Sequence, residues 1–184
     1  MKNIFPYRGI LPTIDSSAFI APNAIIAGKT KIGKNSSIWF GCVVRGDVEC
    51  VVIGDNTNIQ DNSVIHVTRP HHIANKTGDK GAPTLIGSNV TVGHNAIIHA
   101  CIIEDNAFVG MGSIVMDMAR IEEYGMLAAG AVLTPGKVIK RGQLWVGNPA
   151  KYFRDLTEIE KNFIKVSADN YAELAAEYKN SGDN

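Results

Sequence analysis

Ile86-Gly-Ser-Asn-Val-Thr, running directly on to Val92 and then Ile98, decides the fold of this chain. An aliphatic residue occupies every sixth position, a Gly, Ala or acid often follows it, and the fifth residue is often small. The same unit appears as Ile32-Gly-Lys-Asn-Ser-Ser, Ile53-Gly-Asp-Asn-Thr-Asn and Val109-Gly-Met-Gly-Ser-Ile. The period is too long for simple strand alternation and does not match a helix. It marks a solenoid in which each repeat is one short strand plus a turn.

Working outward, the slots fall at Ile14, Ile20, Ile26, Ile32, Ile38 and Val44. Three extra residues, read as Cys50, Val51 and Val52, shift the phase to Ile53, Ile59 and Ile65. After an insertion the pattern returns at Ile86, Val92 and Ile98, loses one residue, and continues from Ile103 in steps of six to Trp145. Twenty slots obey the rule. The aliphatic side chains are expected to point inward as one apolar column, with Gly, Asn and Asp at corners that bulky residues resist. Such repeats resemble the left-handed parallel β-helix proteins, which place three hexapeptides in each triangular coil. The resemblance implies about six to seven coils here.

Residues 68–85 interrupt the period, are rich in Gly, Pro and Lys, and read as a protruding loop. After Pro149 the pattern changes again. Thr157-Glu-Ile-Glu160 is a capping box. Ile159, Phe163, Val166, Leu174 and Tyr178 recur at helical spacing, which predicts a helix over about 157–179 with this stripe on the solenoid flank. The expected organisation is therefore an all-β solenoid over 1–152 and a C-terminal helical segment over 153–184.

Bulk properties narrow the function. The 184 residues suit one domain with a real core. Eighteen basic and eighteen acidic side chains cancel, which gives no case for nucleic acid or an anionic membrane as partner. No stretch approaches the roughly 20 apolar residues that span a bilayer. The first residues lack the apolar run of a secretory signal. Cys42, Cys50 and Cys101 are odd in number and lack metal-type spacing, so they read as reduced, mostly buried thiols of a cytoplasmic protein.

Three faces per coil give every slot an address. Val44, Ile65 and Ile98 share one face, so Arg45, His66 and His99 behind them are expected to stack. Rungs about 4.8 Å apart would let two imidazoles converge on one ion with Zn–N bonds of roughly 2.0–2.1 Å. Asp61 and His94 each lie two residues beyond the second-face slots Ile59 and Val92, and stack near the intervening edge. His94 cannot easily reach the same ion within one chain, but could across a trimer interface. A single flank histidine is ordinarily a polar surface group; three at coherent slots point to a metal. Arg45 with Asp47, and Gln60 with Asp61, also read as ordinary surface pairs. His71 and His72 in the loop read as solvated, or as proton-transfer groups.

Arg45-Gly46-Asp47, Gln60-Asp61, Asn62-Ser-Val-Ile-His66, Gly93-His94 and His99 together resemble the γ-class carbonic anhydrase family, over roughly residues 10–175. The resemblance implies a homotrimer with metal sites at subunit boundaries and His66, His94 and His99 as ligands. It implies hydration of CO₂ to bicarbonate, with Gln60 orienting the hydroxide nucleophile and Arg45 paired with Asp47 and Asp61 across the interface. Tyr171 matches a polar position on the family's C-terminal helix, or packs on the solenoid. The implied metal is Zn²⁺, with Fe²⁺ or Co²⁺ also compatible with imidazole ligands. One departure is plain. Val48 follows Asp47 and the six residues after His66, Val-Thr-Arg-Pro-His-His, include no acid, so the family's acidic proton-moving loop is missing, as in its shorter bacterial members. A metal-dependent thioesterase, a hexapeptide acyltransferase and a zinc-retaining scaffold are the rival readings.

Overall fold

In a computed structural model, which describes residues 3–70 and 80–181, the chain forms the left-handed parallel β-helix of about seven turns with one C-terminal helix. The repeat register holds. Ile20, Ile38, Ile59, Val92, Val109, Leu127 and Trp145 lie side by side on one face. Ile26, Val44, Ile65, Ile98, Val115 and Leu133 do so on the next. Ile53, Ile86, Ile103, Ile121 and Ile139 complete the triangle. All slots from Ile26 to Ile139 are at most 3% exposed and form one continuous core. Two faces share a hydrogen-bonded sheet only because the strands Ile25–Ile32 and Val43–Ile53 run around a corner without a break.

The corners follow from backbone sterics. The third residue after most slots takes a left-handed φ: Asn35, Asn56, Asn62, Asn89, Asn95 and Asn106 lie between 51° and 61°. Asn tolerates that region because its short amide bonds locally. Where one residue is lost after Ile98, Ala100 takes the positive φ, at 46°.

Three readings of the sequence need correction. First, Val51 and Val52 are regular strand residues paired with Thr30 and Lys31. The extra residues bulge out between Gly46, paired with Gly28, and Val51. Counting a period reveals that residues are extra, but not where in the repeat the chain absorbs them. Second, the insertion is shorter than 68–85. Thr68 and Ala82 bridge its base, and Thr84–Ile86 is already a strand of the next coil. His71 and His72 lie outside the described residues.

Third, the helix Glu158–Ser181 packs by a different stripe. Ile164, Ala168 and Ala175 are buried, with Tyr171 and, alone of the expected stripe in this contact, Tyr178 set against Trp39. Ile159 is 83% exposed, and Phe163, Val166 and Leu174 are also exposed. The helix carries two apolar stripes. The alanine-containing one lets the axis approach the rungs closely, and this decides which stripe packs. The capping box forms as read: Thr157 Oγ1 accepts from the Glu160 amide at 3.3 Å, and Glu160 Oε2 accepts from the Thr157 amide at 2.9 Å. The strand Lys151–Asp155 turns back antiparallel on Gln143–Val146 and closes the last coil. Among the described residues no helix is long and apolar enough to cross a membrane.

Candidate metal centre and its surroundings

His66 and His99 are strand partners on adjacent coils. Both follow an inward slot, so both side chains leave the same face. His66 Nδ1 lies 3.2 Å from His99 Nε2. Two ligand nitrogens on a tetrahedral zinc with the usual bond lengths are about 3.3 Å apart. The far nitrogen of each ring is committed to a carboxylate. His66 Nε2 donates to Asp47 Oδ1 at 3.1 Å, and His99 Nδ1 donates to Asp117 Oδ1 at 2.6 Å. With those protons fixed outward, two lone pairs face each other at the inner nitrogens, an arrangement that asks for a cation between them. Burial lowers the pKa of His66, which favours the neutral ring that a metal needs.

The bulge after Gly46 makes the first of these contacts. It swings Asp47 back over the face, where Arg45 pairs with it in the same chain while His66 bonds its other oxygen. Burial alone would raise the Asp47 carboxyl, but the hydrogen bonds from Arg45 and His66 together hold it below the usual range. Asp117 was not foreseen. It lies two residues beyond the slot Val115, one coil past His99. Thr68 Oγ1 donates to its second oxygen. The slot-plus-two address that pairs Asp61 with His94 would have found it, had it been applied one coil further on. Arg45, Asp47, His66, His99, Met116 and Asp117 border a cleft of about 810 Å³.

His94 leaves the solenoid near the edge between this face and the next. Its Nδ1 hydrogen-bonds Asp61 Oδ2 at 2.8 Å, which leaves Nε2 directed elsewhere. Asp61 is thus the third carboxylate behind a histidine. Among the described residues no three donor side chains of one chain gather as a metal-binding group. One chain brings together His66 and His99 and sets His94 apart.

Gln60 is 5% exposed beneath the helix. A ladder fixes its amide. Asn58 Nδ2 donates to Thr91 Oγ1 at 2.9 Å, so Asn58 Oδ1 is an acceptor, and Gln60 Nε2 donates to it at 3.1 Å. Thr91 Oγ1 also meets Ser167 Oγ of the helix at 3.1 Å. Gln60 Oε1 then remains an acceptor with no hydrogen-bond partner among the described residues. Asn58, the residue before slot Ile59, is the second group that sequence reading missed. Tyr171 borders the same groove as Gln60 and stacks edge-on against Trp39, with ring centroids 5.5 Å apart. Burial, and then the charge of Asp61, raise its phenol. The three cysteines are free, and burial pushes Cys42 up to about 11 and Cys101 upward as well.

The family model for bacterial transferase hexapeptide repeats matches residues 12–46. The chain is 49% identical over 89% of its length to gamma carbonic anhydrase 1, mitochondrial, of Arabidopsis thaliana, and covers 58% of that protein. It thus spans about three fifths of the plant relatives' length. It is 43% identical to a carbonic anhydrase of Geobacillus kaustophilus, over 96% of this chain and 91% of the relative. Among solved structures, a hexapeptide transferase family protein from Anaplasma phagocytophilum superposes with a TM-score of 0.88 at 51% identity, covering 97% of this chain and 99% of that one. On this likeness along almost the whole of its length, the chain belongs to the γ-class carbonic anhydrase family.

Proposed function

We propose that this protein is a metal-dependent lyase that hydrates CO₂ to bicarbonate as a homotrimer, with each site shared between neighbouring copies. The observation that carries the proposal is the pair of imidazole nitrogens 3.2 Å apart, each ring braced from behind by a carboxylate. Histidine ligands with carboxylate partners on the far nitrogen are the usual build of a metal centre. His66 Nδ1 and His99 Nε2 of one copy, with His94 Nε2 of the next, would hold the ion. Three neutral donors match an open zinc site, and Fe²⁺ or Co²⁺ would also suit imidazole. When bound, the ion supplies Lewis acidity that brings the pKa of water toward neutrality, a property already known of zinc carbonic anhydrases.

The chain's own groups do the rest. Gln60 Oε1 accepts the O–H of hydroxide and so aims a lone pair at the carbon of CO₂. Tyr171 offers a donor on the same side for an oxygen of the substrate or of bicarbonate. Asp47, Asp61 and Asp117 hold the three rings in one tautomer each. Water and CO₂ yield bicarbonate and one proton, which must leave without the family's acidic loop.

Assembly is supported by an outward column on the histidine-bearing face. Ile25, Val43, Val64, Ile97, Ile114 and Val132 lie in register there, and Ile25, Val64 and Ile97 are about 40% exposed. A contiguous apolar stripe of this kind marks an interface. The free cysteines support a reducing, cytoplasmic setting. The transferase description of the Anaplasma relative favours group transfer as the second reading. Loading the protein with Zn²⁺, Fe²⁺ or Co²⁺ and measuring CO₂ hydration, thioester hydrolysis and acetyl transfer on the same sample tests the choice. Metal-dependent CO₂ hydration that disappears in His66→Ala is expected. Metal-independent acetyl transfer with no hydration would overturn it.

A further inference from the structure

Beside Gln60 lies a groove of about 440 Å³, far more room than CO₂ needs. It runs between the second face and the helix. Gln60, Gly93, Gly110 and Ala128 follow successive inward slots of that face and form its floor. Three rung spacings make it about 14 Å long. No side chain rises from the floor at Gly93 or Gly110. The walls are Phe108, Met111, Met126 and Phe163, and Met111 and Phe163 are 57% and 52% exposed. Ser167, at the helix side, is engaged with Thr91.

One end of the groove is polar and chemically specific. Gln60 Nε2 is committed to Asn58, and among the described residues its Oε1 has no hydrogen-bond partner. The Tyr171 hydroxyl makes no hydrogen bond among the described residues. A donor and an acceptor at one end match a carboxamide head group, whose carbonyl oxygen accepts from the Tyr171 hydroxyl and whose N–H donates to Gln60 Oε1. A long apolar groove behind that head matches a flexible saturated chain.

We propose that this groove binds the alkyl chain of a medium-chain acyl amide, with its head at Gln60 and Tyr171. The proposal rests on reading the Gln60 end as the reacting end of the enzyme. It makes such amides ligands of the centre that also handles bicarbonate.

The test uses the assembled, metal-loaded protein and the linear primary amides acetamide, hexanamide and decanamide. Their binding is read by calorimetry and by competition with CO₂ hydration. Affinity is expected to rise about three- to fourfold per methylene until the chain outgrows the groove. Ala129→Trp, at an exposed position on the groove rim, and Phe163→Asp, on its wall, should each flatten that series and leave CO₂ hydration intact. Equal affinity for acetamide and decanamide in the parent protein, or a chain-length dependence that survives both variants, overturns the proposal. A protein that hydrates no CO₂ yet keeps the chain-length series in calorimetry supports the groove and overturns the hydration reading instead.

Discussion

Two outward columns of the same solenoid make an instructive pair. On the third face, Arg45, His66 and His99 follow the slots Val44, Ile65 and Ile98. On the second face, Gln60, Gly93, Gly110 and Ala128 follow Ile59, Val92, Val109 and Leu127. The backbone beneath both is identical in kind. One column carries rings backed by carboxylates and faces an open cleft. The other is small, apolar and roofed by a helix, with one oriented amide at its head. The inward position is committed to the fold, so it cannot vary. The position after it costs the fold nothing, and chemistry can be written there freely.

That contrast is broken most severely by exchanging one side chain on each side of a single bond. Ile65→Ala removes a fully buried side chain and should cost about 2–5 kcal/mol, seen as a large drop in thermal midpoint. His66→Ala, one residue on, should leave that midpoint almost unchanged while metal content and CO₂ hydration fall to background. Equal destabilisation by the two would refute the division between inward and outward positions.

Asp117→Asn sharpens the third-face column. It weakens the hydrogen-bond acceptor behind His99 and disturbs the Thr68 contact without touching a ligand nitrogen. Metal affinity should fall about 10–100-fold, measured by competition with a chelator. Unchanged affinity would mean that Asp117 is an ordinary surface partner. On the second face, Asn58→Ala frees the Gln60 amide to rotate. Turnover should fall about tenfold, the worth of one well-made hydrogen bond, with metal content preserved. Loss of metal instead would place Gln60 and Asn58 in the metal's support.

The smallest effect concerns the helix that roofs the second face. Its first turn is tied by Glu160 to Arg154 at 2.7 Å and to Thr157. The Arg154 hydrogen bond, followed by those of Thr157, holds the Glu160 carboxyl down to about 2. A depressed folded-state carboxyl stabilises above its ordinary pKa near 4.3, and this contribution fades as pH falls toward 2. Protection of the first-turn amides, measured as exchange relative to the intrinsic rate at each pH, should therefore fall over that window. Glu160→Gln should show the lower protection already at neutral pH, whereas pH-independent protection in the parent would exclude the clamp.

These same columns show what could be read in advance. The slots were legible because every coil must present an aliphatic group inward at a fixed spacing. His66 and His99 were legible because they share one address. Asp47 stood in the quoted motif, but its contact with His66 depends on where the chain absorbs its extra residues, and period counting placed them later. Asn58 and Asp117 act through partners 2 and 18 residues away, at addresses that carry no alarm on their own. The helix misled because Ile159, Phe163, Val166 and Leu174 look more hydrophobic than Ala168 and Ala175. Close approach, not hydrophobicity, selects the packed stripe.

The account stands on a centre divided between copies, and mixed assembly tests that division directly. His94→Ala chains keep His66 and His99, and His99→Ala chains keep His94. Each variant alone should bind no metal at these sites. Unfolded together in equal amounts and reassembled, they should recover about a quarter of the parent's metal and hydration activity, since random closed rings regenerate that share of intact interfaces. Mixed rings that form but recover neither metal nor activity would contradict a site shared by His66, His99 and a neighbour's His94.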